Sequence, residues 1–185
     1  MVRMTEWLEL SPSERERRAC RVILVGSEST GKTTLAQQLV EEYRSRGGIW
    51  ELTQWVPEYG REYTEILLER QGVIEADPDA EVHSAEWTAA DFAAIAVEQQ
   101  RMENEGAASG SPVLFCDTDA FATQLWERSY LGEGSTAAFD SVPVSPPRAL
   151  YLVADLDGVP FEQDGIRDGE DYRPRMQQWF VEELT

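Results

Sequence analysis

The sequence predicts an α/β fold with a mostly parallel sheet and helices on both faces, and two observations carry that prediction. Short apolar, β-branched runs alternate with stretches of helical period along the chain. The first of these runs opens into a glycine-containing loop that leads directly into a helix. At 185 residues the chain is long enough to bury a substantial single core.

Residues 1–19 join a small apolar patch, TEWLEL, to a charged stretch, SERERR, and are expected to be an arm, either mobile or a short helix. The main domain is expected over residues 20–185. Residues 21–25, RVILV, form a short run, apolar and β-branched after its arginine, that suits a buried parallel strand. Residues 33–46 carry Leu35, Ala36, Leu39, Val40 and Tyr43 on one helical stripe, which Gly47 and Gly48 end. Residues 49–56 are expected as the second strand, stopped by Pro57. A helix over 58–70 and an acidic surface loop over 72–86 follow. Thr88 opens a cap-like TAAD before a helix that carries Phe92, Ile95, Ala96 and Gln99 to about Glu105. After the GAASGSP break come a strand over 113–116, a helix over 118–130 and a loop over 132–147. A fourth strand at 150–153 and a helix near 172–184 complete the series. The alternation calls for another strand at that point, so either the domain lacks a final strand or the fold closes with four strands.

Sixteen Lys and Arg stand against thirty-five Asp and Glu, a formal net charge of −19. That surface repels phosphate backbones and anionic lipid, which argues against nucleic acid or a membrane as partner. A pocket can still gather a few positive groups around a small anion. Two cysteines, Cys20 and Cys116, and a single histidine, His83, supply neither a disulfide framework nor a zinc ligand set. No run reaches the roughly 18 apolar residues of a membrane span, and a cytoplasmic setting is expected.

Residues 26–33, GSESTGKT, match G-x-x-x-x-G-K-[ST] between a strand and a helix, which predicts a P-loop NTPase. Gly26, Ser27, Glu28, Ser29, Thr30, Gly31, Lys32, Thr33 and Thr34 are expected to cradle the phosphates of ATP with backbone N–H groups and a helix amino end. Lys32, the only lysine, would reach the β- and γ-phosphates, and the Thr33 hydroxyl would ligate Mg²⁺. A compact ammonium fits inside such a loop where a planar guanidinium does not.

Asp117 ends the run VLFCD at the carboxyl end of a strand, where a second Mg²⁺ ligand belongs. Glu58 follows the second strand and is read as general base, or as the group that orients an acceptor hydroxyl. The segment EQDGIRDGEDYRPR supplies Arg167, Arg173 and Arg175 to a closing lid, one of which would stabilise transferring charge. Trp55, Trp87 and Trp126 are the aromatics available to stack on a planar ring.

Together GSESTGKTTLA, WVPEYGREY, DFAAIAVEQQ, LFCDTD with Thr123 and Trp126, and DGIRD resemble the nicotinamide riboside kinase family. That family is a P-loop kinase domain, of the AAA-domain-like group, also found at the C-terminal end of bifunctional NAD-salvage proteins. The resemblance covers roughly residues 21–184. It implies ATP-dependent phosphorylation of the ribose 5′-hydroxyl of a small riboside, with the kinase activity alone. By the same resemblance Glu58, Tyr59 and Arg61 face the riboside, Asp117 the metal and Arg167 the lid. Trp55 would stack on the nicotinamide ring, with Asp119, Trp126 and Asp164 also on the acceptor side. Gln100 and Arg101 stand where a further ring-covering aromatic would be expected. A kinase for another nucleoside or metabolite, and a nucleotide-dependent ATPase or switch acting on a protein partner, are the alternatives. A GTPase would need an N-K-x-D motif, which the sequence lacks.

Overall fold

The computed structural model describes residues 4–73, 85–142, 150–162, 167 and 169–185. Four strands, β1 (Cys20–Val25), β2 (Gln54–Val56), β3 (Val113–Asp117) and β4 (Leu150–Val153), form one sheet in the order β2-β3-β1-β4. All its pairings are parallel, and Ile23 lies opposite Cys116 on one side and Tyr151 on the other. Alternate residues of the central strands feed opposite layers. Ile23, Val25, Leu114 and Cys116 belong to one cluster, which Met176 and Phe180 join. Leu24 and Phe115 pack on the other face against Ala36 and Val40 of α3 (Lys32–Ser45). Both faces are therefore covered, as a parallel sheet requires.

Three segments depart from the sequence pattern, each for a local reason. The expected strand over 49–56 is a 3₁₀ turn at Gly48–Leu52, and only Gln54–Val56 pairs with β3. Gly47 and Gly48, at φ 69° and 63°, turn the chain away from the ladder. Ile49 then enters the core, and Trp50 packs edge-on to Tyr43 at 5.4 Å. The helix α5 (Ala89–Ser109) runs through the expected GAAS break. Gly106 makes that possible, because a Cβ there would lie 3.0 Å from the Leu114 side chain and 3.2 Å from Val56. The bare backbone lets α5 lie close on the sheet. Downstream of α6 (Ala120–Leu131), a short helix α7 (Ala137–Ser141) interrupts the expected loop over 132–147. The buried Glu127 carboxylate accepts the Ala137 and Ala138 N–H groups at 2.8 Å each and so supplies the cap.

Residues 4–18 form α1 (Met4–Glu9) and α2 (Pro12–Arg18), the second with a Ser11/Glu14 capping box. Trp7 is 1% exposed and donates its indole N–H to the Gly110 carbonyl at 3.0 Å. At the amino end of the sheet the buried Arg21 and Glu103 pair at 3.1 Å. Among the described residues no helix is long and apolar enough to cross a membrane.

Candidate functional site

The chain leaves β1 at Val25 and turns at Gly26, whose φ is 135°. A Cβ at Gly26 would sit 2.9 Å from the Ala154 carbonyl oxygen. Gly26→Ala is therefore expected to displace the loop and lower nucleotide affinity at least tenfold, readable by titration with a nucleotide analogue. Ser29 (φ 52°) and Gly31 (φ 78°) have positive φ and Thr30 between them does not, an alternation that turns successive N–H groups to one side. Gly31 is also the N-cap of α3 and makes no side-chain capping bond, which leaves the helix amino end open to an anion. The Lys32 ammonium donates to the Ser27 carbonyl at 2.7 Å, and the Thr30 hydroxyl donates to the same oxygen at 2.9 Å.

Asp117 ends β3 and is 2% exposed. Burial pushes its carboxyl above the ordinary carboxylate value, against the pull of the Lys32 charge and the Thr33 hydroxyl. That hydroxyl donates to Asp117 Oδ2, and the other carboxylate oxygen, Oδ1, is buried without a partner among the described residues. Mg²⁺ takes oxygen ligands, commonly one or two from protein, with waters and phosphates completing its shell. An orphaned carboxylate oxygen beside a threonine hydroxyl fits such an ion. Across the crevice Glu58 is the N-cap of α4 (Tyr59–Arg70) but makes no capping bond. Burial raises its pKa most strongly, the Lys32 charge opposes this, Asp117 adds to the rise, and Arg61 and Arg167 oppose it.

The loop and Glu58 open onto a crevice of about 380 Å³, and Asp117 lies behind its lining, bonded to Thr33. Every loop residue expected from the motif lines it except Ser27, and Glu58, Arg61 and Arg167 line it as well. Its other end is walled by Trp87, Phe92, Trp126 and Tyr130. The Trp87 ring lies 5.2 Å from both the Phe92 and Tyr130 rings, and its indole N–H is buried without a partner among the described residues. Arg167 donates to the Ser29 hydroxyl at 2.7 Å and also to the Glu162 carbonyl, which joins residues 162 and 167 to the loop.

Three acceptor-side expectations fall elsewhere. Trp55 packs on the α3 face of the sheet with Phe115 and Val40, because the short β2 directs it into that layer. Tyr59 gives its backbone N–H to Gln99 and packs edge-on to Tyr63 outside the crevice. Asp119 is 1% exposed, caps α6 through the Ala122 N–H and receives the Tyr151 hydroxyl at 2.7 Å. Asp164, like His83, lies outside the described residues. Phe92 and Tyr130 are the wall residues that sequence reasoning missed. Tyr130 was findable, since Thr123, Trp126 and Tyr130 recur at helical spacing on one face of α6.

A family model described as an AAA domain matches residues 21–185. The chain belongs to that family. No curated protein matches this AAA domain. Among solved structures, the NadR protein in complex with NR is similar, at 22% identity and a TM-score of 0.66, covering 98% of this chain and 46% of that one. NadR in complex with NAD and AMP-PNP is similar at 21% identity and a TM-score of 0.69, covering 98% of this chain and 45% of that one. The AAA domain thus spans less than half the length of those proteins, and at such identities the likeness is one of fold. Within that fold the loop, the helix amino end and Lys32 make a P-loop suited to the phosphates of a nucleotide.

Proposed function

We propose that this AAA domain, over residues 20–185, is an ATP-dependent kinase that phosphorylates the 5′-hydroxyl of nicotinamide riboside. The observation that carries the reading is the single crevice, with a phosphate cradle at one end, an aromatic wall at the other and Glu58 lining the space. The wall suits the flat face of a base. One NadR structure is in complex with NR and another with NAD and AMP-PNP, which supports a riboside and a triphosphate as the ligands of this fold.

In the proposed reaction the bond between the γ-phosphorus and its bridging oxygen breaks, and a bond to the ribose oxygen forms. ADP leaves, and Glu58 accepts the hydroxyl proton. Lys32 reaches the β- and γ-oxygens, and Arg167, anchored on Ser29, neutralises charge on the moving group. Thr33 and Asp117 would hold Mg²⁺, which would supply positive charge to offset that of the phosphates. We place the reaction in the cytoplasm, where the thiols of Cys20 and Cys116 stay reduced.

The test is ATP consumption with and without nicotinamide riboside, with the mononucleotide followed as product. Sharp stimulation and matching product are expected. Greater kcat/KM with a different nucleoside would keep the kinase and change the acceptor, since the wall fits any flat ring. No stimulation by any riboside would overturn the kinase reading and favour a nucleotide-driven switch.

A further inference from the structure

We infer that Arg173 is a positioning residue of the phosphate loop, which its buried guanidinium orients from behind by holding two loop carbonyls. The inference rests on the nucleotide-binding reading of that loop. Arg173 is the first residue of α8 (Arg173–Leu184) and is 6% exposed. Its Nε donates to the Glu28 carbonyl at 3.1 Å, and its Nη2 donates to the carbonyls of Ser29 at 3.1 Å and Val159 at 3.2 Å. A cation at a helix amino end opposes the helix dipole, so the position is held for these contacts rather than for the helix.

A trans peptide points its C=O and N–H in opposite directions, and no cis peptide occurs among the described residues. Fixing the carbonyls of Glu28 and Ser29 on Arg173 therefore directs the N–H groups of Ser29 and Thr30 the other way. Glu28, Ser29 and Thr30 all line the crevice, whereas Arg173 does not. One turn along α8, Gln177 braces the preceding part of the loop, accepting the Ser27 N–H at 3.0 Å and donating to the Ala154 carbonyl at 2.7 Å. The lid arginines thus divide the work. Arg167 faces the crevice, and Arg173 fixes the amides that would receive phosphate oxygens.

Calorimetric titration of the full chain and its R173Q and R173K variants tests this, with Mg²⁺–AMP-PNP, inorganic pyrophosphate and nicotinamide riboside as separate probes. R173Q is expected to weaken AMP-PNP and pyrophosphate at least tenfold, by similar factors, and to leave riboside affinity within twofold. R173K, which keeps the charge but loses the planar fork, is expected in between. R173Q binding pyrophosphate within twofold of the parent would overturn the inference. So would equal loss of all three ligands, which marks a general loosening of the fold. If R173Q does not fold, R173K carries the same comparison, with at least threefold selective loss of pyrophosphate expected and none overturning the idea. A parent chain that binds neither AMP-PNP nor pyrophosphate would instead overturn the nucleotide reading beneath it.

Discussion

Lys32→Arg is expected to fold as the parent does and to lose about 10²–10³ in turnover, the usual cost of removing one preorganised electrostatic group. Circular dichroism and the melting temperature check the first part, and riboside-dependent ATP turnover the second. The reason lies in the room available. Lys32 is half-buried, with its ammonium 2.7 Å from the Ser27 carbonyl inside the loop's own curve. A guanidinium keeps the charge but brings a rigid plane that the curve does not admit. The aromatic wall of the crevice is built from other residues, so affinity for the proposed riboside should change little. Near-normal turnover in this variant would show that charge alone suffices at position 32 and would remove the point-charge account.

Glu58→Gln carries the second large effect, in which activity and stability move in opposite directions. Turnover should fall about 10²–10³ when the proton acceptor is lost. A loss of tenfold or less would exclude Glu58 from that role. The acid limb of kcat/KM in the parent reports two interacting carboxyls of the free enzyme together, Asp117 and Glu58. Because burial raises the Glu58 pKa above the ordinary 4.5, activity should fall away at a higher pH than a solvated carboxylate would give. Stability follows the same shift with a definite sign. A carboxyl whose folded pKa is raised favours folding fully below its unfolded value. That contribution disappears as pH rises through the folded value. At pH 8, without nucleotide, the parent holds a charge that its surroundings disfavour and Glu58→Gln does not. The variant should therefore melt higher at pH 8, and the gap should close near pH 4. A variant that melts lower at pH 8 would contradict the burial-driven shift.

The fold was legible because its strongest signals are local. Continuous apolar runs mark strands that feed two layers, as Ile23 and Leu24 do. The loop motif likewise reads as sequence because its residues are contiguous. Long-range effects were hidden. Ile49 and Trp50 satisfy a strand pattern, yet two left-handed glycines divert them into the core. The helix at 137–141 depends on Glu127, ten residues upstream, donating a carboxylate that no local pattern reveals. The acceptor wall divides the same way. Trp55, Trp87 and Trp126 look equivalent as letters, and only the tertiary arrangement sends the first into a sheet layer and the others into the crevice. Arg173 reads as one more lid cation until the carbonyls it holds are visible.

The sole lysine has a consequence for chemical modification. A chain with one ε-amine offers lysine-directed acylation a single side-chain target, and that target lines the nucleotide crevice. Acylation would remove the charge that the loop presents to phosphate. No lysine-directed modification of this chain can be silent, and a bound triphosphate would shield its one site.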